Sequence, residues 1–144
     1  MILLQILIQV IGSFIAVVSM AITIGVPKKF LGRAGLVGAV GWLVYLLLME
    51  AGCSAVASMF LAALVVALIS HSFARLMKTP VTLFLIAGIL PLVPGVGMYR
   101  IVYNLIKNDN SLAGFYFSET MQLAGMIALA IFIMDTIFRI FQKN

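Results

Sequence analysis

Long apolar stretches, separated by short groups of charged, proline or glycine residues, run through the whole chain. A helix needs about 20 mostly apolar residues to cross a bilayer. The pattern predicts five such spans, numbered 1 to 5 in chain order, at residues 2–26, 32–49, 53–73, 80–106 and 111–141. We therefore expect an all-α integral membrane protein that forms one domain over residues 1–144, with no soluble domain.

Composition supports a membrane protein. Of the 144 residues, 65% are hydrophobic and only 9% are charged, and the mean hydropathy is +1.26. Soluble domains carry about 25% charged residues. The first apolar run lacks a positively charged start and a small-residue cleavage site, so we expect a retained span rather than a signal peptide.

The basic residues predict an orientation in the membrane. The net charge is +5, and seven of the nine Lys/Arg fall at one set of span ends: Lys28, Lys29, Arg33, Arg75, Lys78, Arg139 and Lys143. Because cytoplasmic segments are enriched in Lys and Arg, the N-terminus is expected outside and the C-terminus inside. There is no basic stripe with interleaved aromatic residues, which argues against a nucleic-acid partner.

Small and polar residues recur at helical spacing in several spans. Span 2 carries glycines at every third position, Gly32, Gly35, Gly38 and Gly41, which favours close helix packing. In span 1, Gln5 and Gln9 share a face with Ser13. This polar face indicates either helix packing or the lining of a polar cavity or partner interface. Asn104 and Gln122 are further candidates for the cavity lining, and Trp42 is either a packing residue or a cavity wall.

Span 4 contains a predicted break at Pro91-Leu92-Val93-Pro94-Gly95, followed by Gly97. Each proline removes a backbone donor and clashes with the preceding turn. The break starts about 17 Å into the span, near mid-membrane, where irregular backbone is tolerated only inside protein or beside a wet cavity. Transporters build substrate sites from such discontinuous helices. A second half-helix starting near Gly95 would present amide groups that suit a carboxylate.

Two opposite charges are predicted at similar depth beyond the break. Arg100 lies in span 4 and Glu119 in span 5, and a charge within the membrane is costly unless it is paired or functional. One interpretation is an ion pair that joins the two spans. The other gives Arg100 an anionic substrate and makes Glu119 a counter-ion or proton carrier. Asp135 is expected to pair with Arg139 four residues later.

The motif around the break resembles the threonine/serine exporter family, in particular its short C-terminal-type module. The matching residues are Pro80-x-Thr82, Gly88-x-x-Pro91-Leu-Val-Pro94-Gly95 and Tyr99-Arg100. In many bacteria this module is a separate small subunit. The resemblance implies a location in the bacterial cytoplasmic (inner) membrane, a second and larger membrane subunit, and export of threonine, serine or a dicarboxylate such as succinate.

Together, the residues and the resemblance give a candidate site for a small carboxylate. The substrate-binding candidates are Pro91, Pro94, Gly95, Gly97, Tyr99 and Arg100, and Glu119 is the candidate for coupling to the proton gradient. The alternative function is a non-transporting scaffold subunit that stabilises a partner, in a homo- or hetero-oligomer. An enzyme is not expected, because no catalytic triad, metal-ligand set or nucleotide loop is present, and no cofactor is implied.

Overall fold

The computed structural model describes residues 1–142, and all regular structure within them is helical. Lys143, which the sequence assigns to the basic span ends, lies outside the described residues. The helices, in chain order, are α1 (Ile2–Thr23), α2 (Lys28–Glu50), α3 (Ala55–Met77), α4 (Thr82–Ile89), α5 (Gly95–Ile106) and α6 (Asn110–Gln142), with a 3₁₀ turn at Leu90–Leu92 after α4. Residues 1–142 thus include four helices long and apolar enough to span a membrane, and α4 and α5 qualify only as a bent pair.

Four helices end in the same way. A residue with positive φ lies one or two positions after the end of each helix, and these residues are Gly25, Gly52, Lys78 and Asn108. In each case the next amide donates to the carbonyl five residues earlier, at 2.9–3.0 Å. This is the Schellman arrangement, which satisfies the last carbonyls of a helix. It ends α1 at Thr23 rather than at the predicted Val26, and α2 then begins at Lys28, earlier than predicted, directly after Pro27.

The glycines of α2 allow its neighbours to approach closely. Gly35 and Gly38 lie against side chains of α1, and Gly41 lies against Val66 of α3. An added Cβ at any of the three would be nearer than 3.0 Å to a neighbouring side chain. The predicted packing role is confirmed for these three residues. It is wrong for Gly32, which is exposed and has nothing within 4 Å of an added Cβ, because each three-residue step turns the helix face by about 60°, and Gly32 therefore points away from the packed side.

The chain changes direction between α4 and α5. The α4 helix packs on α2 and α3, where the buried Phe84 contacts Phe30 and Phe73 edge-to-face. After a bend of 53°, α5 packs on α6 instead. The bend therefore leaves a space between the α2–α3 pair and the α5–α6 pair, directly beside the break.

Basic residues cluster at one end of the molecule. The Arg33 guanidinium at the start of α2 contacts the Met77 sulfur at the end of α3, at 3.5 Å. Arg75, also near the end of α3, donates to the Phe138 carbonyl of α6 at 2.7 Å. We call this the basic end of the molecule. Its assignment to the cytoplasmic side remains a prediction from the charges.

Candidate functional site

The backbone leaves helical geometry at the two prolines. The 3₁₀ turn includes Pro91, which has no amide hydrogen to donate. Val93 is extended, with φ −61° and ψ 127°, and Pro94 follows with φ −75° and ψ 59°. A new helix, α5, begins at Gly95. Regular α-helical geometry is thus interrupted at the two prolines, between α4 and α5.

The N-terminus of α5 has no side-chain cap, because the residue in the cap position is Pro94. The amides of Gly95 and Met98 donate to backbone carbonyls of the break at 2.7 and 3.2 Å. The amides of Val96 and Gly97 have no hydrogen-bond partner among residues 1–142. Free amides at a helix N-terminus carry a partial positive charge and attract anions.

These amides lie beside a cavity of about 280 Å³ that α2, α3, α5 and α6 share with the break. We call it the break cavity. Its wall includes Trp42 and Tyr45 of α2, residues 91–97 of the break, Arg100 of α5, and Glu119 and Thr120 of α6. Of the six predicted substrate-binding residues, the structure thus brings five to one cavity. The exception, Tyr99, is 66% exposed and stacks on Tyr103.

Arg100 and Glu119 line the same cavity, but they form no ion pair within the described part of the chain. Both side chains are exposed. The Arg100 guanidinium lies 5.2 Å from the centre of the Tyr116 ring, an arrangement in which the aromatic face attracts the cation. The ion-pair interpretation is therefore wrong for this structure, because equal depth did not bring the two charges into contact.

Thr120 is a site residue that the sequence analysis missed. It is 1% exposed, and its hydroxyl has no hydrogen-bond partner among the described residues. The side chain lies against Gly97, where an added Cβ would collide with the hydroxyl oxygen. The signal in the sequence was the adjacent polar pair Glu119-Thr120. Neighbouring residues point about 100° apart on a helix, so the pattern alone could not tell which of the two is buried.

A second cavity, also of about 280 Å³, lies on the other side of the break. It shares Trp42 and Pro91 with the break cavity, and α1 contributes Gln9 and Ser13. The Ser13 hydroxyl donates to the Gly38 carbonyl of α2 at 3.3 Å. The candidate Gln9 is thus near the break, and Trp42 is a wall between two cavities.

The other polar candidates lie elsewhere. Gln5 and Gln122 are exposed and line none of the cavities described here. Asn104 is 8% exposed, and its amide donates to the carbonyl of Arg100 one turn earlier at 2.8 Å. It lines none of the three cavities described here either.

At the basic end, the predicted ion pair of Asp135 and Arg139 is confirmed, with 2.7 Å between the Arg139 Nε and Asp135 Oδ2 atoms. Asp135 also lies 3.6 Å from the Nε2 atom of His71. The Nδ1 atom of His71 is 2.9 Å from the Ala67 carbonyl oxygen, and the centre of the His71 ring lies 4.7 Å from the centre of the Phe138 ring. The histidine is therefore buried between α3 and α6, an arrangement that no sequence pattern had indicated.

Comparison with solved structures and with protein families gives two results. No solved structure matches the chain. Residues 9–137 match the family model described as "Threonine/Serine exporter, ThrE", and this range includes all six helices in whole or in part. The match covers most of the chain and includes the break, both cavities beside it and the two unpaired charges. The chain therefore belongs to the threonine/serine exporter (ThrE) family and is a multi-pass membrane component of an exporter-type transporter.

Proposed function

We propose that the chain is one subunit of a secondary transporter that exports threonine and serine, or a dicarboxylate such as succinate, across the bacterial inner membrane. In this proposal residues 1–144 form a single five-span domain with the N-terminus outside. The α4–α5 pair crosses the membrane as one broken span. A second, larger membrane subunit completes the transporter, and the substrate binds in the break cavity.

One observation carries the proposal: three kinds of donor without a hydrogen-bond partner lie at the break cavity, and one of them, the Thr120 hydroxyl, is buried in the cavity wall against Gly97. They are the free amides of Val96 and Gly97, the unpartnered hydroxyl of Thr120, and the guanidinium of Arg100, which has no carboxylate partner in residues 1–142. A carboxylate has two oxygens that accept several hydrogen bonds. Hydrogen bonds to a charged acceptor are roughly twice as strong as neutral ones. The set therefore suits a substrate carboxylate.

Glu119 provides the complementary charge. It lines the same cavity as Arg100 and is not paired with a cation in the described part of the chain. For threonine or serine, its carboxylate would accept hydrogen bonds from the substrate ammonium group. It would also be the group that exchanges a proton if export is coupled to the proton gradient. A dicarboxylate would need a second cation, which the proposal assigns to the partner subunit.

The exposed polar residues favour a second subunit. Arg100 and Glu119 are exposed at the break cavity, and Gln5, Gln9 and Gln122 are exposed on the largely apolar helices α1 and α6. Polar groups without partners are costly in hydrocarbon. A neighbouring subunit that covers these faces would remove that cost. The same observation supports the alternative function, a scaffold that binds a partner without contacting the substrate.

Reconstitution separates the two functions. We expect proteoliposomes containing this chain and its larger partner to export threonine, serine or succinate, and either protein alone to show little flux. The measurement is efflux of labelled substrate, with co-purification as the readout of assembly. If Arg100→Gln and Glu119→Gln leave flux unchanged, while loss of this chain prevents partner assembly, the scaffold function is correct.

Thr120→Val tests the carboxylate site directly, because valine keeps the shape and removes the hydroxyl. Losing a hydrogen bond to a charged group is expected to raise the half-saturating substrate concentration about tenfold. The thermal unfolding midpoint should stay equal or rise, because an unsatisfied buried polar group is removed. The control is Thr136→Val, whose hydroxyl bonds to its own helix at Phe132. If both variants transport the substrate equally well, the Thr120 hydroxyl does not bind it.

A further inference from the structure

A larger cavity, of about 600 Å³, lies at the basic end and takes no part in the proposed transport site. Its walls come from the end of α3, the turn at residues 78–81 that leads to α4, and the last turns of α6. The cations Arg75, Lys78 and Arg139 line it, together with His71 and Asp135. We call it the basic cavity.

The charges of the basic cavity do not cancel. Asp135 is the acidic residue among those that line it, and this carboxylate is bound to Arg139 at 2.7 Å. Arg75 and Lys78 therefore remain without an acidic partner in the described residues. Arg75 uses one nitrogen to bind the Phe138 carbonyl, and its guanidinium lies 4.6 Å from the Phe138 ring centre. A guanidinium has five N–H donors, so Arg75 keeps several for a ligand.

Uncharged donors lie at or next to the same cavity, which Thr79 and Val81 line and which Thr82 directly follows in the chain. The Thr79 hydroxyl oxygen is buried without a hydrogen-bond partner among the described residues. The amides of Val81 and Thr82, at the start of α4, have no partner within residues 1–142 either. A buried hydroxyl, two amides at a helix N-terminus and two unpaired cations form a site for the oxygens of an anion.

The surface beside the basic cavity indicates the source of that anion. Leu61, Leu68 and Arg75 are spaced by seven residues, so they share one face of α3. The two leucines are 41% and 43% exposed, and Arg75 is exposed as well. The two leucines leave this face open to the surroundings of the protein, and Arg75 at its end contacts Phe138 of α6. An apolar stripe that ends at a cationic cavity matches an acyl chain joined to an anionic headgroup.

We propose that the basic cavity binds the phosphate group of an anionic membrane lipid, with an acyl chain along the Leu61–Leu68 face of α3. Arg75 and Lys78 supply the charge, and Thr79 and the α4 amides supply neutral donors. Basic pockets between membrane helices bind anionic lipid headgroups in this way. A zwitterionic amino acid fits less well, because the one carboxylate present is already paired with Arg139. This site requires no transport activity.

The test uses the full-length protein, delipidated in neutral detergent, with lipid binding measured by native mass spectrometry and by the thermal unfolding midpoint. Phosphatidylglycerol is expected to bind and raise the midpoint, and phosphatidylcholine to bind at least about tenfold more weakly. Lys78→Asn should weaken phosphatidylglycerol binding at least about fivefold. Asparagine tolerates the positive φ of 50° at this position, so the end of α3 is preserved.

The matched control is Lys28→Gln, which removes one positive charge at the same end of the molecule but outside the cavity. It is expected to bind phosphatidylglycerol like the unmodified protein. Equal weakening by both variants would show general charge attraction and overturn the proposal. The proposal is also overturned if phosphatidylcholine binds as well as phosphatidylglycerol, or if soluble glycerol phosphate binds as tightly as the lipid, which would make this a site for free phosphate esters.

Discussion

Arg100→Gln is expected to reduce threonine efflux by at least about 30-fold at substrate concentrations below saturation. The reason is that Arg100 is the cation of the break cavity, and no carboxylate of the described chain competes for it. Losing hydrogen bonds between a charged donor and a carboxylate costs about 1.5–3 kcal/mol. Efflux by Arg100→Lys should fall between that of the unmodified protein and that of Arg100→Gln. An ammonium group keeps the charge but loses the two-pronged contact with a carboxylate.

The control for Arg100→Gln is Lys107→Gln, at the other end of α5. Lys107 lies over the Tyr103 ring at 4.6 Å and does not line the break cavity. Efflux from vesicles that contain equal amounts of assembled transporter is the measurement. The carboxylate site is refuted if Arg100→Gln transports like Lys107→Gln, since each variant removes one positive charge, from α5 or from the residue that directly follows it.

Gly97→Ala is expected to destabilise the α5–α6 pair and to abolish transport. An added Cβ would collide with the Thr120 hydroxyl, and the other Thr120 side-chain atoms are 3.3 and 3.5 Å away. Extra atoms in a well-packed contact cost about 1–3 kcal/mol. The two helices would have to move apart, and this movement would displace the free amides and Arg100 from Thr120. Thermal unfolding in detergent and efflux measure the two effects.

Gly95→Ala is the matched control, two residues earlier in the same helix. Nothing lies within 4 Å of an added Cβ there, so the unfolding midpoint should be unchanged or higher, because alanine favours the helix over glycine. The double variant Gly97→Ala/Thr120→Ala should recover stability, because the colliding oxygen is gone, but not full substrate affinity. If Gly97→Ala alone is as stable as Gly95→Ala, the close α5–α6 contact is not important for folding.

The break was predictable because its cause is local. Pro91 and Pro94 lack amide hydrogens wherever they occur, and no tertiary contact can restore them. The start of α5 at Gly95 follows from the same fact. The pairing of Asp135 with Arg139 was predictable for a similar reason, since one helical turn places them together. These features depend on residues close in sequence.

The roles of Thr120 and Asn104 could not be predicted, because they depend on which helix face turns inward. Thr120 is buried and Glu119 is exposed, although they are neighbours in sequence. Asn104 was expected at a cavity and instead bonds to its own helix. Helical spacing places residues on a common face, but only contact with another helix determines the direction of that face.

The sequence by itself thus determined the membrane class, the main helices and the position of the break, because these follow from hydropathy, proline chemistry and local hydrogen bonding. Only the tertiary structure decided what surrounds the break. The bend moves α5 from the α2–α3 pair onto α6, and this brings the free amides, Arg100 and the buried Thr120 hydroxyl to one cavity. The packing of α3 on α6, together with the turn at residues 78–81, forms the basic cavity. Both sites join residues that are distant in sequence, and contacts of that kind depend on the packing of whole helices.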